Sequence, residues 1–527
     1  MSVLIFVIVL YILLGLSMMK LFEKAGIPGW KALVPGLAAV EWCKLVGRKP
    51  QYALWFLFPV VNFFIYAGLT IDMIRSFGRH GFWDAVLAVV YAPISFFMVG
   101  RDAKAQYEGA ILDKERDFHR LHHECLEKKD VLGLKKLEAQ YPQFKKSATR
   151  EWTEAIVFAV FAAAFIRMFL IEAYVIPSSS MEGSLKIGDY LFVSKAHYGI
   201  RTPMTVIQFP LMHNVMPLTG SESYLENPSL PYFRLPAIEK IDRNEPVVFN
   251  WPAGDSVYIA PDRSWDIGQW NRGNIGQARY HGKNLPFVTR PVDKKDHYIK
   301  RCLAIAGDSL EIRGGQVFVN GQAAQNPTHM QFLYSLEATG NSINGKKLEE
   351  FGINLSEMVS DEKRRPCAFL DLNQVEKLRA MGLKVERASR PSDPGGLFPN
   401  DPRRFANWTT DNFGPVWVPK KGATVALNLD SYAFYWRAIK VYEHNDLEIK
   451  NGKIFVNGQE TSTYTFQQDY YWMQGDNRHN SEDSRFWGYV PEDHIVGKPL
   501  FIWFSTKNGN MREGINWSRI FKSASAM

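Results

Sequence analysis

The sequence predicts a multi-pass α-helical membrane region followed by a mainly antiparallel β ectodomain with an inserted α+β lobe. Three observations support this fold class. Long apolar runs concentrate in the first 171 of the 527 residues. After Leu185, short runs rich in β-branched and aromatic residues alternate with turn-forming pairs, which is typical of antiparallel strands. A polar segment with helical patches, residues 323–420, interrupts these β-type runs.

Four apolar runs are long enough to cross about 30 Å of hydrocarbon. They are residues 3–19, 52–71, 82–100 and 152–171. No basic segment precedes the first run and no clear small-residue cleavage site follows it, so we expect a retained span rather than a cleaved signal peptide. We therefore expect three spans in residues 1–100, a charged cytoplasmic helical segment in residues 101–151 and a fourth span in residues 152–171.

The basic residues indicate the orientation of these spans, because cytoplasmic loops are enriched in Lys and Arg. Residues 20–51 contain six, residues 101–150 contain twelve, and only two lie between the second and third runs. This pattern predicts an outside N-terminus and an outside ectodomain. The net charge of +8 is then a topology signal, and we expect no nucleic-acid partner. Arg167, close to the end of the fourth run, is interpreted as an anchor at the lipid headgroups.

The ectodomain divides into a β core and two insertions. We expect the core in residues 172–322, with long loops at 252–296, and in residues 421–527. Residues 323–420 form the inserted lobe. Within the core, the segment 310–322 recurs as 447–459, and each copy contains a two-residue turn that tolerates positive φ, which predicts two similar hairpins.

Four cysteines are present without any CxxC spacing, so we expect no metal site. Cys302 and Cys367 could form a disulfide, but the sequence does not require one.

A lysine lies inside an apolar β-type run, Tyr298 to Ile305. Alternation places Tyr298, Lys300 and Cys302 on one face and Arg301 on the other. A buried lysine has a lowered pKa, and a neutral amine can accept the proton of a serine hydroxyl. Taken alone, this lysine is also compatible with an edge position and a hydrated ammonium group. Candidate serines follow the fourth run directly, within nine residues of its end.

Four segments, considered together, favour one interpretation of this lysine and these serines. They are IPSSSMEGSL (176–185), GDYLFVSK (188–195), HYIKRCLAIAGD (297–308) and GDNRHNSEDSRFWGYVPE (475–492, the closing box). In this order they closely resemble the type I signal peptidases, the membrane-bound leader peptidases of bacteria. The resemblance covers the fourth span and the ectodomain core, and leaves out the first three spans and the lobe. It implies a signal-peptidase-like fold and a serine endopeptidase with no metal or cofactor. Its partners would be secretory precursors and the lipid bilayer, at the outer face of the cytoplasmic (inner) membrane, where it would remove signal peptides after Ala-x-Ala-like sites.

The resemblance also implies roles for single residues. Ser180 is the nucleophile and Lys300 its general base, while the Ser178 hydroxyl and the Ser180 N–H form the oxyanion hole. Ser481 orients the lysine, and Asp483 and Arg485 form a structural ion pair. The pockets for small substrate residues are lined by Tyr174, Ile176, Pro177, Met181, Leu185, Tyr298 and Ile299.

Two departures from the family pattern and two alternatives accompany this hypothesis. Gly183 and Ser184 stand where the family usually has Pro-Thr, and Arg243-Asn-Glu replaces its Arg-Gly-Asp. One alternative is a self-cleaving Ser–Lys protein of the repressor type, which the spans and the closing box argue against. The other is a non-enzymatic, membrane-anchored β-rich binding module.

Overall fold

The computed structural model describes most of the chain. The residues described are 2–57, 61–144, 148–216, 219, 221–227, 229–259, 264–266, 279–280, 283–338, 345–361, 363–389, 396–401 and 403–524. The chain divides into two compact units, Met1–Phe158 and Ala159–Met527.

The first unit is helical. Its α-helices are Ser2–Lys24, Leu37–Val46, Val61–Arg75, Phe82–Arg101, Ile111–Glu127, Val131–Gln140 and the first part of Ala148–Phe169, and its 3-10 helices are Gly29–Leu33 and Pro50–Leu57. Apolar side chains from the first four α-helices form one buried cluster, in which the Trp42 indole donates a hydrogen bond to the Leu69 carbonyl (3.1 Å). Lys24 binds the Val99, Asp102 and Ala105 carbonyls at the end of Phe82–Arg101, where a cation complements the helix dipole.

Two described helices are long and apolar enough to cross a membrane, Phe82–Arg101 and Glu151–Phe169. They coincide with the predicted third and fourth spans. The predicted first span lies within Ser2–Lys24. The predicted second span is not one continuous helix among the described residues. It is divided between Pro50–Leu57 and Val61–Arg75, and its proline lies outside the described residues.

The fourth helix ends earlier than predicted, at Phe169 rather than residue 171, because Ile171 already begins a strand. Arg167, interpreted from the sequence as an anchor at the lipid headgroups, also forms an ion pair with Glu172 (2.7 Å). Glu172 also binds Lys195 (2.8 Å), so three charged groups meet at the junction of helix and strand.

The second unit is built on antiparallel β-sheets, which confirms the predicted β character of the ectodomain. Its largest sheet has seven strands, in the order Ile171–Val175, Asp189–Ser194, Ile495–Ser505, Pro246–Asn250, His297–Ala304, Tyr470–Gln474 and Val490–Pro491. The strand His297–Ala304, hereafter the lysine strand, is flanked on both sides by other strands, and Lys300 pairs with Val247. A residue at this position is therefore covered by neighbouring strands rather than lying at a sheet edge.

The two predicted hairpins are both present, each extended by a short third strand. One comprises Ser309–Arg313, Gln316–Val319 and Gln322–Ala323, and the other Leu447–Lys450, Lys453–Val456 and Gln459–Glu460. Their turn residues have positive φ, at Gly314 (55°), Gly315 (84°), Asn451 (51°) and Gly452 (77°), as two-residue hairpin turns require. Both hairpins contribute to the largest core cluster, together with Phe413, Trp472 and Tyr489.

The predicted lobe contains its own sheet and core. The strands are Val359–Ser360, Pro366–Leu370, Phe332–Ala338 and Leu383–Arg387, and the helices Gly345–Glu350 and Leu372–Ala380 accompany them. The strand Phe413–Trp417 lies within the predicted lobe boundaries but pairs with Ser309–Arg313 of the core. Residues 390–395 of the predicted lobe lie outside the described residues.

The remaining elements are short. The other strands are Ser256–Ile259, Ser264–Asp266, Arg279–Tyr280, Lys283–Asn284, Phe287–Thr289, Thr424–Ala426 and Thr463–Thr465, and the other helical segments are Ser179–Met181, Val292–Lys294, Leu355–Glu357, Leu429–Arg437, Ala438–Tyr442, Ser484–Trp487, Glu492–His494, Lys507–Gly509, Met511–Glu513 and Trp517–Arg519. Much of the predicted insertion 252–296 lies outside the described residues. All four cysteines are free thiols, so the Cys302–Cys367 disulfide that the sequence allowed is not formed.

Candidate active site

A tight turn presents the serine cluster. The strand Ile171–Val175 continues through Pro177, whose ring restricts φ, into the 3-10 helix Ser179–Met181. Ser178 is extended (φ −134°, ψ 159°) and exposed, Ser179 is buried, and Ser180 is half-buried. Only the first and third serines of the cluster can therefore meet a ligand from solvent.

Lys300 lies against this turn. Its side chain leaves the middle of the lysine strand, and the residue is only 2% exposed. The Lys300 amine nitrogen donates to Ser180 Oγ at 2.7 Å and to the Ile299 carbonyl at 3.0 Å, and it lies 5.3 Å from the centre of the Tyr298 ring. The amine is thus within direct proton-transfer distance of one serine hydroxyl.

The surroundings of Lys300 favour its neutral form. Burial lowers the pKa of the Lys300 amine to about 8, because the ammonium loses its hydration, while the negative charges of Asp483, Glu482 and Asp476 oppose the shift. At pH 7 about one in ten of these amines is therefore uncharged, far more than for a lysine in water. A neutral amine hydrogen-bonded to a hydroxyl can remove its proton as the oxygen attacks an electrophile.

A second hydroxyl lies beside the first. Ser178 Oγ is 3.5 Å from Ser180 Oγ. A hydroxyl at this position, together with the backbone N–H of Ser180, could donate hydrogen bonds to an oxyanion formed next to Ser180.

The closing box fixes the serine turn through its backbone and its amides. The Asn477 N–H donates to the Ser180 carbonyl (3.1 Å), and its side-chain amide donates to the Ser179 carbonyl (3.3 Å). The Asn480 amide donates to Ser179 Oγ (2.8 Å). Both asparagines lie in the closing box, but no role was predicted for them from the sequence. The contacts of an amide side chain in a loop cannot be predicted from sequence periodicity.

The predicted structural ion pair is present as a buried pair. Arg485 binds Asp483 through two parallel hydrogen bonds of 2.8 Å, and the side chains of both residues are fully buried. Burial alone would raise the pKa of Asp483, but the Arg485 guanidinium and hydrogen bonds from Gly475 and Ser481 outweigh it and hold that pKa low. Ser481, predicted to orient the lysine, thus has Asp483 as a hydrogen-bond partner.

Gly475 lies where the closing box passes the serine turn. A Cβ added there would be 2.3 Å from Ser481 Oγ and 2.5 Å from the Ser180 carbonyl oxygen. Only glycine permits this close approach of the two segments.

The next residue of the lysine strand is tied to the same box. Arg301 binds Asp476 with two hydrogen bonds (2.8 and 2.6 Å), and both residues are buried. Asp476 and Asn477 are adjacent in the closing box. Asp476 thus binds the lysine strand, and Asn477 binds the serine turn.

The predicted pocket residues separate into two groups. Ile176, Met181 and Leu185 are buried in one apolar cluster, against which Tyr174 and Ile299 pack. Tyr298 packs instead with Trp251 in a different cluster. Pro177 is exposed beside the serines.

Gly183 explains one departure from the family pattern. Its φ is 96°, and an added Cβ would lie 2.2 Å from the His329 carbonyl, at the entry to the lobe. Proline cannot adopt this φ, so the family's usual residue does not fit here. Ser184, the second departure, is buried, and its hydroxyl accepts a long hydrogen bond from Arg301 (3.4 Å).

Comparisons with known proteins show which family the chain resembles along its length. A family model described as "Signal peptidase, peptidase S26" matches residues 149–365 and 437–504, more than half of the chain. A second model, a family of unknown function, matches residues 30–110. Signal peptidase I of Haemophilus influenzae is 24% identical over 369 residues, covering 69% of this chain and 72% of its own length. Signal peptidase I of Helicobacter pylori is 24% identical over 394 residues (71% and 92%), and that of Buchnera aphidicola subsp. Baizongia pistaciae is 23% identical over 405 residues (76% and 91%).

The close approach at Gly475 yields a stability prediction. Gly475→Ala forces a methyl group against the backbone of the serine turn, and overpacking of this kind costs about 1–3 kcal/mol. We expect a lower midpoint of unfolding in urea. The midpoint is measured by tryptophan fluorescence on the purified full-length protein. The matched control is Gly345→Ala, where the added Cβ meets only the flexible end of Leu355 at 3.3 Å. Equal midpoints for the two variants would contradict the packing described for Gly475.

Proposed function

The chain belongs to the signal peptidase family, peptidase S26, and from this premise we propose that it is a signal peptidase I whose nucleophile is Ser180 and whose general base is Lys300. Its substrates are secretory precursors, from which it removes N-terminal signal peptides. The observation that carries the proposal is the 2.7 Å hydrogen bond between a buried lysine amine and the Ser180 hydroxyl. Cleavage follows small residues in an Ala-x-Ala-like pattern.

The proposed reaction has two stages. Neutral Lys300 takes the proton of Ser180 as Oγ attacks the scissile carbonyl carbon. The Ser178 hydroxyl and the Ser180 N–H donate to the resulting oxyanion. Lys300 then gives its proton to the departing amine, which leaves an ester between Ser180 and the signal peptide. In the second stage Lys300 takes a proton from water, the hydroxide oxygen attacks the ester, and the proton returns to Ser180 Oγ.

Ser481 and the Asp483–Arg485 pair have supporting roles in this proposal. Ser481 and Asp483 position the Lys300 amine, directly or through the loop that carries them. Asp483 also raises the pKa of Lys300 by its negative charge, and Ser481 is a hydrogen-bond partner of Asp483. Ile176, Met181, Leu185 and Ile299 line shallow pockets that admit small substrate side chains, with Tyr174, Pro177 and Tyr298 at their margins.

The membrane placement is also part of the proposal. Four spans, with the N-terminus outside, place the second unit on the outer face of the cytoplasmic membrane. The helix Glu151–Phe169 is long and apolar enough for one crossing, and only ten residues separate its end from Ser180. A precursor whose apolar segment lies in the same bilayer then meets the serine at high effective concentration.

Substitution of either reacting group tests the proposed dyad. We expect Ser180→Ala and the nearly isosteric Lys300→Met each to reduce precursor cleavage at least about a thousandfold, because removal of one member of a nucleophile–base pair disables both. Cleavage is measured with a purified precursor in detergent, with circular dichroism as the check on folding. The matched controls are Ser309→Ala and Lys420→Met in the same unit. Normal cleavage by either dyad variant would refute the proposed roles of Ser180 and Lys300, whereas absence of cleavage by the unmodified protein would favour the binding-module alternative.

The pH profile tests the charge state of the base. Only neutral Lys300 accepts the proton, so kcat/KM should rise about tenfold per pH unit below a midpoint near pH 8 and level off above it. A neighbouring carboxyl could complicate the profile, since burial raises the pKa of Glu182 to about 7. Glu182→Gln removes that titration and should leave the midpoint near pH 8 unchanged. A profile that is flat between pH 5 and 9 would exclude Lys300 as the base.

A further inference from the structure

A second cavity, whose described lining includes neither Ser180 nor Lys300, lies at the end of the fourth apolar helix. It has a volume of about 310 Å³ and is enclosed by the last turns of Ala148–Phe169, by segments near residues 201–213, and by residues around Asp293. All of its lining residues belong to the second unit. The mechanism proposed above makes no use of it.

One wall of this cavity is apolar and continues the membrane-facing helix. Phe161, Phe165 and Met168 follow one another at helical spacing, and Leu211 and Met212 lie on the opposing segment. Phe161 is 63% exposed. A ligand with an apolar chain could lie along this face and enter the cavity with its polar end.

The polar part of the cavity carries an excess of positive charge. Four cations line it, Arg167, Lys195, Arg201 and Lys294, against two carboxylates, Glu172 and Asp293. Glu172 is already bound by Arg167 and Lys195. The other two cations, Arg201 and Lys294, have Asp293 as the second carboxylate of the described lining.

Arg201 and Lys294 bind only neutral acceptors among the described residues. Arg201 donates to the Asp493 carbonyl (2.7 Å) and to the Asn250 amide oxygen (3.0 Å). Lys294, only 3% exposed, donates to the side chain of Gln208 and to the His213 carbonyl. Neither has a carboxylate within 4.0 Å in the part of the chain that the structure describes. Buried charges without counterions are unfavourable, so a bound anion would stabilise this site.

Two further polar atoms in the lining lack partners among the described residues. They are His213 Nε2 and Asp293 Oδ1, and both are buried. The other oxygen of Asp293 accepts from the N–H groups of Met204 and Thr205 and from the Thr205 hydroxyl. An anion that also carries a hydroxyl donor would satisfy the free carboxylate oxygen as well as the two cations.

We propose that this cavity binds the headgroup of an anionic, hydroxyl-bearing phospholipid, with the phosphodiester between Arg201 and Lys294 and an acyl chain along Phe161 and Phe165. The inference rests on the proposed membrane placement of the helix and is independent of the chemistry at Ser180. A free phosphate ion would satisfy the cations but not the apolar wall.

Lipid selectivity of the full-length protein tests this assignment. The protein is purified in neutral detergent, exposed to equimolar phosphatidylglycerol and phosphatidylcholine, and analysed by native mass spectrometry. We expect about tenfold enrichment of one phosphatidylglycerol molecule, because Lys and Arg side chains near a membrane surface attract anionic headgroups. Millimolar inorganic phosphate should not displace it. Equal retention of the two lipids, or displacement by inorganic phosphate, would overturn the proposal.

Gln208→Glu links the selectivity to the cavity. It places a carboxylate on Lys294 with almost no change of shape, so the enrichment should fall to near unity. The matched control, Gln459→Glu in the exposed strand Gln459–Glu460, should keep it. If Gln208→Glu does not fold, Lys294→Gln provides the same test. Selectivity unchanged in the cavity variants would exclude this site.

Precursor cleavage measured on the same samples separates the two proposals. Selective lipid retention without cleavage would overturn the proposed enzyme and support the lipid site. Cleavage without selective lipid retention would support the proposed enzyme and overturn the lipid site. Ser180→Ala should retain phosphatidylglycerol as the unmodified protein does.

Discussion

The arrangement of the second unit depends on the exclusion of water from one amine, that of Lys300. Lys300 lies in a central strand of the largest sheet, and its amine has only a serine hydroxyl and a backbone carbonyl as hydrogen-bond partners among the described residues. Lowering its pKa from 10.5 to about 8 corresponds to about 3 kcal/mol against the charged form. The negative charges of Asp476, Glu482 and Asp483 limit that penalty, so the amine remains close to its titration point near physiological pH.

The second requirement is that the serine does not move relative to this amine. The closing box meets it with backbone contacts and buried charges rather than with flexible surface side chains. The Asn477 N–H holds the Ser180 carbonyl, Gly475 allows the segments to touch, and Asp476 holds Arg301 beside the lysine. Because these groups are consecutive in the chain, one short segment sets the distance between Ser180 and Lys300.

The sequence predicted those features that local patterns encode. The hairpins were predictable because two-residue turns need residues that tolerate positive φ, and the lysine stood out because it interrupts an apolar strand. The end of the fourth helix was not predictable from the sequence, because Leu170 and Ile171 are as apolar as the residues before them. Alternation along the lysine strand did not show that Tyr298 packs against Trp251, because the neighbouring layers come from distant segments. The supporting asparagines were missed for the same reason.

The close approach of Gly183 and His329 links the turn that carries Ser180 to a lobe more than a hundred residues away in the chain. The loop leading into the lobe occupies the space that a side chain at position 183 would need. While the loop follows this path, a proline at position 183 would require both the turn and the loop to be rebuilt. The residue at position 183 and the route of the chain into the lobe therefore constrain each other.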